Sequence, residues 1–183
     1  MKNCLIIYIL PLSLLFSNSI NTRWGTCNLI LNGSSISKTN DLISIIKNTT
    51  NLMSNEYGNI DTNKFSIHIV ENINDYNKYT DGTAPIWSIG LTKSYPDRVV
   101  IKSPSLARIS LIEFYKIVKH ELNHIYINRY KNRHSIPQWF KEGFASLVAN
   151  QFSLKHKIII SKNKWKNSLI PIESLANFNE INL

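Results

Sequence analysis

The chain has 183 residues, 43% hydrophobic and 10% aromatic, which is enough to bury one domain's core and too much for a disordered chain. A formal net charge of +9 favours anionic partners, yet the 21 Lys and Arg are scattered, with no block of five and no aromatic interleaving. The pattern reads as a solvated surface, and nucleic acid is excluded as the expected partner.

At the N-terminus, Lys2 precedes an apolar run from Cys4 to Phe16, and Ser17 and Ser19 occupy the −3 and −1 positions of a cleavage point after Ser19. This is the pattern of a secretory signal peptide. It assigns residues 1–19 to a leader and 20–183 to one exported domain, whether periplasmic, cell-surface or secreted. The run is short for a bilayer span and is broken by Pro11, so a signal anchor is the second choice and no stable membrane span is expected after cleavage. Cleavage lowers the formal charge from +9 to +8 and leaves Cys27 alone, unable to form an internal disulfide. The residues before Cys27, Arg23 to Thr26, form no lipobox, so a lipid anchor is unsupported.

Helical spacing begins near Asp41, with apolar residues at 42, 45, 46, 52 and 53, Asn40 or Asp41 as N-cap and Gly58 as stop. Phe65 to Val70 alternates and is rich in branched residues, which predicts a strand. His68 falls on the face opposite Ile67 and Ile69 and is expected to be solvent-facing or hydrogen-bonded rather than a ligand. Asp75 to Gly82 reads as a polar turn region. Ile86 to Thr92 predicts a second strand, Tyr95-Pro96-Asp97 a tight turn, and Arg98 to Ser103 a third strand ended by Pro104. The short connection between these last two strands predicts an antiparallel hairpin.

From Leu106 to about Tyr130 the pattern is helical, with Leu111, Phe114, Val118, Leu122 and Ile125 as the core stripe. Within it lies His120-Glu121-Leu122-Asn123-His124. The two histidines stand one turn apart, off the stripe, and can both ligate one tetrahedral zinc. Glu121 beside them can take the proton of a zinc-bound water as it attacks a carbonyl. With five histidines and seven glutamates in the chain, this pattern has a chance expectation of about 0.005. The bland alternative is an exposed His/Glu/His stripe on an ordinary amphipathic helix. A polar turn, Lys131 to Ser135, then leads to a helix running from Pro137 toward Phe152.

A catalytic zinc keeps three protein ligands and one open position, so a neighbouring element must supply a third ligand. Glu142 fits, 18 positions after the second histidine, which is enough chain to turn and bring a second helix alongside the first. A glycine such as Gly143 inside a helix costs about 1 kcal/mol relative to alanine, which is explained if a bare backbone lets the helices approach closely. Ala145 helps in the same way. Ser146 and Glu113 are weak candidates for orienting the imidazoles. Tyr126 and Tyr130 are expected to pack, and His134 and His156 to be exposed.

The His120-to-His124 motif, followed by Ile136-Pro137-Gln138-Trp139-Phe140-Lys141-Glu142-Gly143-Phe144-Ala145, resembles the gluzincin zinc metallopeptidases of the peptidase MA-like, aminopeptidase-N-related group. The segments Ile86 to Gly90, Arg98 to Pro104 and Leu169 to Leu175 are also similar to that family, so the likeness covers roughly residues 60–180. It implies an α+β, zincin-like fold: a small twisted mixed sheet packed on the helix bearing HExxH, and a second helix bearing the Glu ligand. It implies His120, His124 and Glu142 as ligands of one zinc ion, and Glu121 as general base and then general acid. It implies further that the third strand is the edge along which a peptide substrate lies extended. The family usually continues well beyond the Ile170-Pro171-Ile172-Glu173 segment and draws an oxyanion-stabilising Tyr or His from there; no position of this sequence matches that residue.

Two readings therefore stand at the level of sequence. The first is an exported zinc metallopeptidase acting on a peptide or protein substrate, with another chain able to complete the cleft. The second is a zinc-stabilised, catalytically degenerate peptidase-like binding protein, to which the end of the sequence at Leu183 points and against which the intact Glu121 counts.

Overall fold

A computed structural model describes residues 15–33, 39–60, 62–130 and 136–152. In chain order its elements are β1 (Leu15–Thr22), β2 (Gly25–Asn32), α1 (Thr39–Tyr57), β3 (Asn63–Val70), α2 (Ile73–Tyr79), β4 (Gly90–Lys93), β5 (Arg98–Lys102), α3 (Pro104–Ala107), α4 (Leu111–Arg129) and α5 (Gln138–Val148). The fold is α+β, with one mixed sheet in the order β1-β2-β3-β5-β4.

The three inner strands β2, β3 and β5 run parallel, and β1 and β4 close the two edges antiparallel. Parallel strands need cover on both faces, and their sequences show it. Cys27, Leu29, Leu31, Phe65, Ile67, Ile69, Val99 and Ile101 point to one face, where they pack on Leu42, Ile46 and Met53 of α1 and on Phe114, Val118, Leu122 and Ile125 of α4. The stripe expected on the metal helix is thus the stripe buried against the sheet. Val70 and Val100 point the other way and meet Tyr76 of α2. Cys27 belongs to the core, and burial pushes its thiol up to about 12, which keeps it protonated and unreactive.

Several sequence expectations are corrected here. β1 and β2 were not anticipated, although Cys27, Leu29 and Leu31 alternate; β1 spans the expected cleavage point after Ser19, with Ser17 to Ser19 exposed and Ile20 buried. The polar stretch from Asp75 is no turn region but largely α2, because Asn72 caps it by accepting from the Asp75 N–H at 2.8 Å and Tyr76 anchors it. The second strand is shorter than expected, since Ser88 bonds back to the Pro85 carbonyl and leaves Ile86 and Trp87 in an exposed turn. The helix expected from Leu106 is two pieces, broken at Arg108, which takes a left-handed φ of 55°; α4 restarts with Ser110 as its cap. The third strand is not an edge: β5 lies between β3 and β4, and β4 is the edge strand.

Other expectations hold. The β4–β5 pair is an antiparallel hairpin with Gly90 opposite Ile101. Gly58 ends α1 with a φ of 95°, and its N–H donates to the Ser54 carbonyl. The segments 1–14, 131–135, which includes His134, and 153–183, which includes His156 and Leu169 to Leu175, lie outside the described residues. Among the described residues no helix is long and apolar enough to cross a membrane.

Candidate metal centre

With its apolar stripe committed to the sheet, α4 presents His120 and His124 to a cleft of about 580 Å³ bounded by β4 and α5. Their Nε2 atoms lie 3.1 Å apart, and Oε2 of Glu142 on α5 lies 3.3 Å from the first and 3.5 Å from the second. The edge of a tetrahedron with bonds of about 2.0–2.1 Å is about 3.3–3.4 Å, so the three donor atoms stand within a few tenths of an ångström of the separations that ligands on one zinc would have. The donor chemistry fits as well. Two imidazole nitrogens turned toward each other and toward a carboxylate oxygen are held by a hydrogen or a metal ion between them.

Two of the three donors are oriented by neighbours. Gln138, one turn before Glu142, donates from Nε2 to Glu142 Oε1 at 2.6 Å and leaves Oε2 to face the histidines. Gln151 accepts from His120 Nδ1 at 3.0 Å, which turns Nε2 to the cleft side. The turn after α5 puts it there: Asn150 takes a left-handed φ of 53°, and the Gln151 N–H folds back onto the Ser146 carbonyl at 2.9 Å.

Glu121 is nearly buried, and its Oε2 accepts from the Thr92 hydroxyl at 2.7 Å. Burial pushes its pKa up, opposed by the charge of His124 and the Thr92 hydrogen bond. Hydrogen bonds from His120 and His124 hold Glu142 far below the usual carboxylate range. Burial alone would lower His120, but the Glu142 hydrogen bond and the Glu121 charge together outweigh it and hold the ring above its ordinary value.

The four expected site residues are therefore brought together: His120, His124 and Glu142 as a possible metal-binding triad whose ligand atoms lie within 4.8 Å of one another, with Glu121 beside them. The supporting residues differ from expectation. A Cβ on Gly143 would meet nothing within 4 Å, so the close approach of the helices does not depend on it; the fully buried Ala145 faces that packing instead. Glu113 pairs with Lys116 at 2.9 Å, and it is Gln151 that orients an imidazole. Tyr126 donates to the Tyr57 carbonyl at 2.6 Å and ties α4 to the end of α1, as a packing residue, while Tyr130 is exposed. His68, expected to be solvent-facing or hydrogen-bonded, is instead buried and its Nδ1 has no partner, because α2 covers that face of β3.

Gly90 and Thr92 were missed as site residues. A Cβ on Gly90 would stand 2.6 Å from Glu121 Oε1, a contact that real side chains do not make. Their only sequence signal was a glycine inside a strand pattern, which marks close approach by another group. Comparisons with known protein families, with curated proteins and with solved structures found no match to this chain.

Proposed function

We propose that the protein is a zinc-dependent peptide hydrolase with a zincin-like arrangement, held by His120, His124 and Glu142 and served by Glu121. The observation that supports it most is the near-tetrahedral spacing of three donor atoms, 3.1, 3.3 and 3.5 Å, with one buried carboxylate beside them. A structural zinc site has no use for that fourth group. A bound zinc supplies Lewis acidity that acidifies water and polarises a carbonyl.

The chain's own residues do the rest. Glu121 accepts a proton from the attacking water and returns it to the leaving amine, a role suited to a carboxyl whose affinity for protons burial has raised. The outer edge of β4, with β5 on its other side, runs beside the cleft and offers backbone groups to an extended peptide. The leader pattern in the sequence favours an exported protein.

Metal content by elemental mass spectrometry, followed by peptide-library cleavage with Glu121→Gln as control, tests the reading. About one zinc per chain and cleavage lost in the variant is the expected result. Stoichiometric zinc with no cleavage by the wild type would favour the binding-protein alternative.

A further inference from the structure

Gly90 and Thr92 stand two residues apart on β4, so both face the same side of the strand, toward α4. Glu121 rests across them. Its Oε2 accepts the Thr92 hydroxyl at 2.7 Å, and its Oε1 occupies the space in which a Gly90 side chain would begin. The same hydroxyl lies 3.0 Å from the Glu121 backbone carbonyl; it has one proton to give, and the shorter contact to the charged oxygen takes it. Among the described residues this is the one hydrogen bond the Glu121 carboxylate receives.

We propose that Gly90 and Thr92 form a seat that fixes Glu121 for proton transfer: Thr92 latches Oε2, Gly90 makes room for Oε1, and Oε1 is the oxygen that receives the proton. The inference rests on the peptide-hydrolase reading and adds two positioning residues to it. Oε1 takes one proton from water as the water oxygen bonds to the scissile carbonyl carbon. It gives that proton to the amine nitrogen as the C–N bond breaks, and Glu121 ends as the carboxylate it began. A glutamate side chain has three rotatable bonds, and a shift of about 1 Å in such a group costs about 100-fold in rate. The latch removes that freedom.

Thr92→Val keeps the shape and removes the hydroxyl; Thr92→Ser keeps the hydroxyl and removes a methyl. The zinc-loaded full chain is assayed on an internally quenched peptide library, with zinc affinity measured by chelator competition. Thr92→Val should lower kcat by about 10–100-fold with KM and zinc affinity within about twofold of wild type, and Thr92→Ser should recover most of the loss. Gly90→Ala should lower kcat in the same way, again without loss of zinc. Wild-type kcat in Thr92→Val, an equal loss in Thr92→Ser, or a parallel fall in zinc affinity would overturn the proposal.

The hydrogen bond is also read without turnover. In protein labelled with 13C-carboxyl glutamate, the Glu121 resonance, assigned by its absence in Glu121→Gln, should move in Thr92→Val and return in Thr92→Ser. A wild type that cleaves no peptide but shows this displacement ends the hydrolase reading while the latch stands. An unmoved resonance ends the latch whatever the activity.

Discussion

Acid should weaken this fold through His68, and a His68→Phe variant should be largely spared. The ring is 8% exposed beneath α2, its Nδ1 is unpartnered, and its centroid lies 4.6 Å from that of Tyr79. Burial, with the Arg98 charge assisting, pushes its pKa from 6.5 down to about 4. The unfolded chain takes up this proton below about 6.5, whereas the folded chain resists until about 4. Between those values the unfolded state binds more protons, so stability is full above the window and falls as pH drops through it. At about 1.4 kcal/mol per pH unit the ceiling is about 3 kcal/mol, and solvent screening at the ring edge reduces the expectation to about 2 kcal/mol. Phenylalanine keeps the contact with Tyr79 and cannot be charged. Urea unfolding followed by tryptophan fluorescence, with chelator present so that metal loss does not contribute, gives stabilities at about pH 7.5 and 4.5 for both proteins. The wild type should lose about 2 kcal/mol more than the variant over that interval. Equal losses in the two proteins would refute the claim that His68 is held neutral.

Five further outcomes follow from the site and its supports. Glu121→Gln should abolish cleavage while zinc stays bound, read by metal analysis alongside the peptide assay; Glu142→Ala should lose zinc instead. Gln138→Ala and Gln151→Ala each remove one orienting hydrogen bond and should weaken zinc binding by about 10–100-fold in chelator competition. Asp97 is almost wholly buried and pairs with Arg129 at 2.6 Å, so Arg129→Ala should cost about 3–5 kcal/mol in urea unfolding by stranding the buried carboxylate. Removing zinc should lower the thermal midpoint, and titrating it back should restore the midpoint in proportion to the logarithm of free metal.

The candidate triad was legible because its chemistry is local: a spacing of four on one helix puts two histidines on one side, and a glutamate inside the following helix comes to stand beside them. What orients them was not legible. Gln151 acts through a left-handed residue at a helix end, and Thr92 acts across the gap between a strand and a helix, neither of which leaves a periodicity in the chain. The sheet was half legible for a similar reason. β3 and β5 announce themselves by branched residues, whereas β1 and β2 lie in and just after a stretch whose composition also reads as an export leader. The resemblance implies the third strand as the edge, but strand order in a sheet is set by long-range pairing, here β3 with β5, that no local pattern in the chain supplies.

The candidate ligands are divided unequally between two helices, His120 and His124 on α4 and Glu142 on α5, 18 positions after His124 in the chain. A cation held by all three closes that stretch into a loop, as a covalent cross-link would, and restricts the unfolded chain by up to about 3 kcal/mol for a loop of this size. The benefit falls unevenly over the molecule. The sheet, α1 and α4 supply the buried members of one apolar core, whereas α5 exposes Trp139, Phe140 and Leu147, fully buries Ala145 and adds only the partly buried Phe144 and Val148 to that core. Metal-free protein should therefore shed α5 before it unfolds, so that the ligand site and a protease-sensitive segment are one piece of chain.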